Sequence, residues 1–317
     1  MNLYNLPNTD LTVSGICLGA APFGWYLEER DAFAQLDYFV ASGGVFVDTA
    51  HSYGGKGTSE RMVGNWMASR QNRRSIVLAT KGGEDTGLKN YRTLHADEIA
   101  EDVEESLECL QTEYIDLYYL HIDDRTVPVA EIIDVLNAKA KEGKLRYIGC
   151  SNWGVDRIAA ANAYAKKSGQ MGFVANEIEW SLAVPNRPNT PDSTTWMDTA
   201  FLDYHRRTGM NVCAYSPQAR GLFAKLEKLG AEGLNEGLRK TYLNSQNLET
   251  FERLKKLSAQ TGDPVTVLTL AYICHQKKDF FTVPIVGCSS MAQLKECLAA
   301  DACTLDPSML ECLAEGR

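Results

Sequence analysis

Strand-like apolar runs alternate with amphipathic helix-like runs along the whole chain, and this alternation restricts the fold more than any other feature. Strand patterns stand at 11–18, 45–47, 76–80, 114–120, 146–150, 173–180, 211–215 and 281–286. Helix patterns stand between and after them at 28–42, 59–69, 96–110, 129–141, 155–167, 195–208, 247–260, 265–277 and 291–299. Short strands joined by helical crossovers imply a parallel sheet. Eight such units in 317 residues predict a closed (β/α)8 barrel, read as one domain over 1–317. An open, doubly wound sheet is the rival fold, but no GxGxxG follows the first strand. Gly143 and Gly209 fall where helices should stop, and Asp97 and Glu98 favour a first turn. The stretches 183–195 and 218–247 are long for loops and follow strands six and seven, on the C-terminal face of a barrel. The second carries Glu227, Lys228, Glu236, Arg239 and Lys240, which predicts a short exposed helix within it.

Three polar residues close three of these strand runs, and a fourth follows the first of them. Asp48 ends Val45-Phe46-Val47-Asp48, Lys81 ends Ile76-Val77-Leu78-Ala79-Thr80-Lys81, and His121 follows Leu117-Tyr118-Tyr119-Leu120. Tyr53 lies five positions after Asp48, in Asp48-Thr49-Ala50-His51-Ser52-Tyr53-Gly54. On successive barrel strands all four rise on the C-terminal face, where barrel active sites sit. A free phenol has a pKa of about 10, and a neighbouring ammonium favours its phenolate. Tyr53 is therefore the candidate acid, Lys81 its tuner, Asp48 the anchor of Lys81, and His121 a donor to a substrate carbonyl. None of these supplies hydride, so the chemistry calls for a nicotinamide cofactor.

Other readings are weaker. The segment Gly54-Gly55-Lys56-Gly57-Thr58-Ser59 lacks the GxxxxGK[ST] spacing of a phosphate loop and reads as a turn into a helix capped by Thr58 or Ser59. The nine Cys form no CxxC pair and the five His share no ligand spacing with them, which predicts reduced core thiols and no metal. A metal-dependent hydrolase would need a His cluster at the strand ends, and only His51 and His121 with Asp48 are at hand. A net charge of −9, with no basic stripe, argues against nucleic acid. No apolar run is long enough to span a bilayer and no leader pattern is visible, so a cytoplasmic location is expected.

With these residues in hand the chain resembles the aldo-keto reductase superfamily over essentially its whole length. The matches are Asp48-Thr49-Ala50, Tyr53-Gly54, Ser59-Glu60, Thr80-Lys81, Asp116-Leu117-Tyr118, Leu120-His121, Gly143-Lys144, Ile148-Gly149 and Ser151-Asn152. The end of the last strand, Val286-Gly287-Cys288-Ser289 followed by Gln293-Leu294, is similar to bacterial-type members nearer the potassium-channel β-subunit branch. The resemblance implies a barrel with an N-terminal β-hairpin and long loops on the C-terminal face. It implies NADPH as cofactor, with NADH as the alternative, and Asp48, Tyr53, Lys81 and His121 as the catalytic tetrad. It places Gly19 and Ala20 beside the cofactor, Ser151, Asn152 and Glu177 at the nicotinamide carboxamide, and Tyr215 against the nicotinamide ring. Ser216, Gln218, Gly221 and Leu222 fall at the pyrophosphate. Gly287, Ser289 and Gln293 fall at the 2′-phosphate, and Glu296 and Cys297 at the adenine.

Three positions depart from the family pattern. Glu177 stands where a Gln is usual, and Cys297 where an Asn is usual; 287–293 contains no basic residue, with Lys295 nearest and Arg220, Lys225, Arg239 or Lys240 as other sources of charge. Trp25 and Trp153 are the leading substrate contacts, in a rim with Tyr26, Tyr91, Asp123, Asp124 and Trp180. Carboxylates beside aromatics suit a polar carbonyl substrate such as a sugar-derived aldehyde or ketone; Arg125 or Arg187 would be needed for a phosphorylated one. The expected reaction is NAD(P)H-dependent reduction of an aldehyde or ketone. The alternative is a cofactor-binding regulatory or sensor subunit on the same fold. Monomer and homo-oligomer are equally open.

Overall fold

The computed structural model describes residues 1–83, 94–187 and 194–315. Tyr91 lies outside them. Eight parallel strands close a barrel: β3 (Cys17–Gly19), β4 (Phe46–Asp48), β5 (Val77–Gly82), β6 (Ile115–Leu120), β7 (Leu145–Ser151), β8 (Ala175–Glu179), β9 (Asn211–Tyr215) and β10 (Thr282–Val286), with β10 pairing back onto β3. Each strand obeys a period of two. Phe46, Ala79, Leu117, Tyr119, Ala175, Cys213, Val283 and Ile285 fill the barrel interior, while Val47, Leu78, Tyr118, Leu120, Ile178 and Val212 face the helices. Extending the inward face by one step brings Asp48, Lys81 and Glu177 to the top of the interior. An apolar run ending in an inward charge is thus the strand-level signature of the site.

The helices form the outer layer. They are α1 (Glu29–Ala41), α2 (Thr58–Arg70), α3 (Ala96–Leu110), α4 (Val129–Lys141), α5 (Val155–Ser168), α6 (Thr199–Thr208), α7 (Leu222–Leu229), α8 (Glu236–Tyr242), α9 (Ser245–Thr261), α10 (Val265–Cys274), α11 (Met291–Ala299) and α12 (Pro307–Ala314). Gly149 admits Tyr119 into the barrel, since a Cβ there would lie 2.6 Å from the Tyr119 ring.

Several expectations are corrected. The run 11–18 is two elements: β2 (Thr12–Ser14) pairs antiparallel with β1 (Leu3–Asn5), and β3 begins only at Cys17. Gly15 stands at the break, its N–H donating to Asn2 O at 2.9 Å, and a Cβ there would meet the Asp301 carboxylate. Helix α6 starts at Thr199 rather than 195, since the Asp198 side chain accepts from the Phe201 N–H. The preceding residues pair with β8 instead, Met197 N donating to the Glu179 carbonyl at 2.9 Å. Helix α2 is capped by neither Thr58 nor Ser59 but starts after Gly57 at φ 70°. The Ser59 hydroxyl is drawn inward, donating to the Ala20 carbonyl at 2.8 Å. Helix α10 stops at Cys274 rather than 277, and α12, capped by Asp306 with Pro307 in its first turn, is an additional helix beyond those expected.

Two assemblies close the ends of the barrel. At the N-terminal mouth Leu6, Leu11 and Val13 of the hairpin pack into the same cluster as Phe46 and Leu117. The buried Asp116 accepts from Arg146 at 2.6 Å, Arg73 at 2.8 Å and the Leu78 N–H at 2.9 Å. On the opposite face the two long loops are stitched together. Asn186 N donates to Thr241 O at 2.6 Å, and Asn244 and Asn247 both donate to Val184 O. The stretch 218–247 holds two short helices: α8 carries the expected Glu236, Arg239 and Lys240 on an exposed side and buries Leu238 and Tyr242, and α7 buries Leu222, Phe223 and Leu226.

Candidate active site

Asp48, Lys81 and Tyr53 meet at the top of the barrel. Lys81 is fully buried; its Nζ lies 2.6 Å from Asp48 Oδ2, 3.0 Å from Thr49 O, 3.3 Å from the Tyr53 hydroxyl and 3.2 Å from Glu177 Oε1. The His121 ring meets the Tyr53 ring edge-on, centroids 5.8 Å apart. All four tetrad candidates are thus contiguous, with Glu177 as a fifth partner from β8.

The loop bearing Tyr53 is pinned from beneath. His51 N donates to the Lys81 carbonyl at 3.0 Å, and Gly57 N to the His51 carbonyl at 2.7 Å. The buried Glu60 accepts from Thr80 Oγ1 at 2.6 Å and faces His51 Nδ1 at 2.8 Å. In the sequence Glu60 is marked only by the Ser59-Glu60 match to the family pattern. Burial lowers the His51 pKa, but hydrogen bonds with Cys109 and Glu60 outweigh it and raise it to about 9. His51, Glu60 and Cys109 bring ligand-type atoms within 4.8 Å of one another. The positive charge there is already supplied by the imidazolium and by Arg61, whose guanidinium donates to Cys109 Sγ at 3.2 Å.

The electrostatics of the buried centre differ from the simple expectation for Tyr53. Burial holds its phenol above the ordinary range, and the pull of Lys81 only partly offsets this, with Asp48 and Glu177 adding to the rise. Tyr53 therefore keeps its proton in the resting site. Burial alone would lower the Lys81 pKa, yet Asp48 and Glu177 hold its ammonium well above the usual range. Burial also raises both carboxyls. Glu177, desolvated and beside Asp48, reaches about 8.

Around this centre, Gly19 ends β3, and a Cβ there would sit 2.8 Å from Ile285. Ala20 N donates to the Asp48 carbonyl at 2.7 Å. Ser151 is buried at the end of β7. Asn152, at φ 58°, donates to His121 O and Ser151 Oγ, both at 3.1 Å. Its Oδ1 accepts from the Tyr215 hydroxyl at 2.9 Å and from Thr195 N at 3.1 Å, so one amide ties four loops together. After β9 the backbone turns through Ser216, Ala219, Arg220 and Gly221, all at positive φ, into α7, whose first turn has no side-chain cap. Leu222 opens that helix. Gln218 donates to Thr266 O at 3.1 Å and accepts from Cys297 Sγ at 3.5 Å. At α11 the Gln293 side chain accepts from Ser289 N at 2.8 Å and Ser289 Oγ at 2.9 Å, Ser290 caps the helix, and Glu296 accepts from Thr266 Oγ1. Gly287 lies close to Pro22, and Cys297 Sγ faces Cys288 Sγ at 3.8 Å.

The proposed rim is reduced by the structure. Trp25 is 65% exposed and free to meet a ligand. Trp153 is corrected: it is fully buried, edge-on to Phe173 at 5.2 Å, and lines no open surface. Its position just past β7 directs it between barrel and helices. Trp180 is likewise buried, beside Phe280. The rim is also less acidic than the sequence suggests, because Arg157 grips Asp123 at 3.0 Å. Arg125 is paired with Asp156, and Arg187 with Asp198.

Comparison with known proteins places this geometry in context. Residues 15–315 match the model of the aldo/keto reductase family. Norsolorinic acid reductase A of Aspergillus parasiticus is 32% identical over 308 residues, covering 93% of this chain and 75% of that protein. The uncharacterized oxidoreductase YrpG of Bacillus subtilis is 32% identical over 322 residues, covering 99% and 95%. The aldo-keto reductase ausK of Aspergillus calidoustus is 32% identical over 314 residues, covering 93% and 76%.

Proposed function

The chain belongs to the aldo/keto reductase family, and from that premise we propose that it reduces an aldehyde or ketone to the alcohol with hydride from NADPH. The observation that carries this reading is the Tyr53 hydroxyl, protonated, 3.3 Å from the buried Lys81 ammonium. Bound nicotinamide would supply the hydride; the remaining steps fall to the chain. The carbonyl oxygen approaches between Tyr53 and His121. As charge develops on it, an alkoxide is a far stronger base than a phenolate, so the Tyr53 proton moves to it even though burial raises the phenol. Lys81 stabilises the phenolate left behind, and Asp48 fixes Lys81. One domain over 1–317, acting in the cytoplasm on a small-molecule carbonyl, fits the matched family span and the nine free cysteines. Among the described residues no helix is long and apolar enough to cross a membrane.

The residues present fit a dinucleotide. The uncapped first turn of α7 offers backbone N–H groups to an anion, and Lys225, donating to Arg220 O at 2.9 Å, stands over Gly221. Arg239 and Lys240 are paired with Glu232 and Glu236, so Lys225 is the better source of positive charge for the phosphates. The Ser289–Gln293 turn at α11 would take the 2′-phosphate without a basic partner, since Lys295 lies over the Tyr38 ring. The Tyr53→Phe variant tests the reading. It should lose about three orders of magnitude in turnover while its fluorescence titration with NADPH is unchanged. Retained turnover removes Tyr53 as the acid, and tighter binding of NADH overturns the cofactor. Tight binding by the wild-type protein without nucleotide oxidation across aldehydes, ketones and sugars would indicate a regulatory subunit instead.

A further inference from the structure

The buried centre holds two carboxyls and one ammonium. Asp48 and Glu177 are both nearly inaccessible, and Lys81 entirely so. The ammonium has three hydrogens but faces four acceptors: Asp48 Oδ2, Thr49 O, the Tyr53 hydroxyl and Glu177 Oε1. It leaves Asp48 Oδ1 and Glu177 Oε2 buried with no donor. Both carboxyls close on that one ammonium, Asp48 Oδ2 at 2.6 Å and Glu177 Oε1 at 3.2 Å from Lys81 Nζ. Two ionised carboxylates on a single ammonium would bury a net negative charge, a costly arrangement away from water. A single proton between them satisfies both orphan oxygens and cancels the excess charge.

We propose that Glu177 is a positioning residue of the reductase site, sharing one proton with Asp48 so that the two carboxyls and Lys81 together carry no net charge beneath Tyr53. This rests on the carbonyl-reductase reading and deepens it. With the proton in place, the phenolate formed in reduction meets a neutral cluster with its ammonium end foremost. With the proton lost, it meets a net negative one, and Tyr53 gives up its proton less readily. Glu177 so engaged is not free to hold a carboxamide.

The other groups facing Glu177 do not replace that proton. Cys213 on β9, Cys17 on β3, Tyr119 on β6 and Tyr215 above are all held neutral by burial. Ser151 on β7 does not titrate in the working range, and His121 lies beyond the Tyr53 ring. On this proposal a titration near pH 8 is a property of the Asp48–Glu177 pair rather than of one residue.

Infrared difference spectroscopy on the purified protein without nucleotide tests this directly. A buried carboxylic-acid carbonyl band should be present at about pH 6.5 and vanish with a midpoint near 8. The band should be missing from Glu177→Gln and equally from Asp48→Asn, which serves if the first variant fails to fold. A band that persists in either variant, or no titrating band in the wild type, overturns the proposal. In turnover, the wild-type kcat should fall about tenfold one pH unit above that midpoint, while Glu177→Gln stays flat over the same range. A change only in nucleotide affinity would assign Glu177 to the cofactor instead. A band with no reductase activity would reject the function and leave the shared proton standing.

Discussion

At the scale of single residues, the site keeps its protons in two ways: burial holds them on Tyr53 and the carboxyls, and charged partners hold them on Lys81 against burial. His51 extends this beneath the Tyr53 loop. Its pKa rises from 6.5 to about 9, so the folded state binds its proton more tightly than the unfolded chain. The stabilisation is complete below about pH 6.5 and is lost as pH climbs to about 9, a change of about 3 kcal/mol. Denaturation of wild type and His51→Gln across that window should show the difference between them shrinking as pH rises; a constant difference would mean His51 is neutral throughout. Asp48 and Lys81 were legible in the sequence because each is a charge on the inward face of a strand whose other inward residues are apolar. The part played by Glu177 was not, since its partners sit on β4 and β5 and meet it only when the barrel closes. Trp153 misled for a related reason. Which way a side chain points just past a strand is set by the turn, not by strand alternation.

At the scale of elements, helices whose ends carry local signals were readable: α3, α4 and α11 fall on the expected residues. Boundaries failed where a tertiary contact overrode periodicity, as at Gly15 and at the residues before α6. The contact between α2 and α3 rests on a glycine. A Cβ on Gly64 would lie 2.6 Å from the Cys109 carbonyl oxygen and 2.8 Å from the Leu110 carbonyl carbon. These are backbone atoms and cannot rotate away, so the usual helix-propensity gain of Gly→Ala should be reversed. Gly64→Ala should lose about 2 kcal/mol in urea denaturation with the slope unchanged. A gain in stability would show that the two helices can part without cost.

At the scale of the whole molecule, the eight-fold alternation made the barrel legible, whereas its two closures were not. The hairpin plug depends on Leu6, Leu11 and Val13 reaching a core built from distant strands. The loop stitching depends on Asn186, Asn244 and Asn247 meeting across the cleft side. Asp116 anchors the plugged end. Removing it leaves the Leu78 N–H without its acceptor and takes one carboxylate from Arg73 and Arg146, which keep Tyr114 O and Asp10, so Asp116→Ala should cost about 2–3 kcal/mol while KM stays within twofold. A large KM change would mean the two ends of the barrel are coupled. The plug also makes the barrel a vessel open at one end only. With that end filled by Leu6, Leu11 and Val13, hydrons that exchange into the Asp48–Lys81–Glu177 centre pass by the side of Tyr53, the same face a carbonyl substrate would approach.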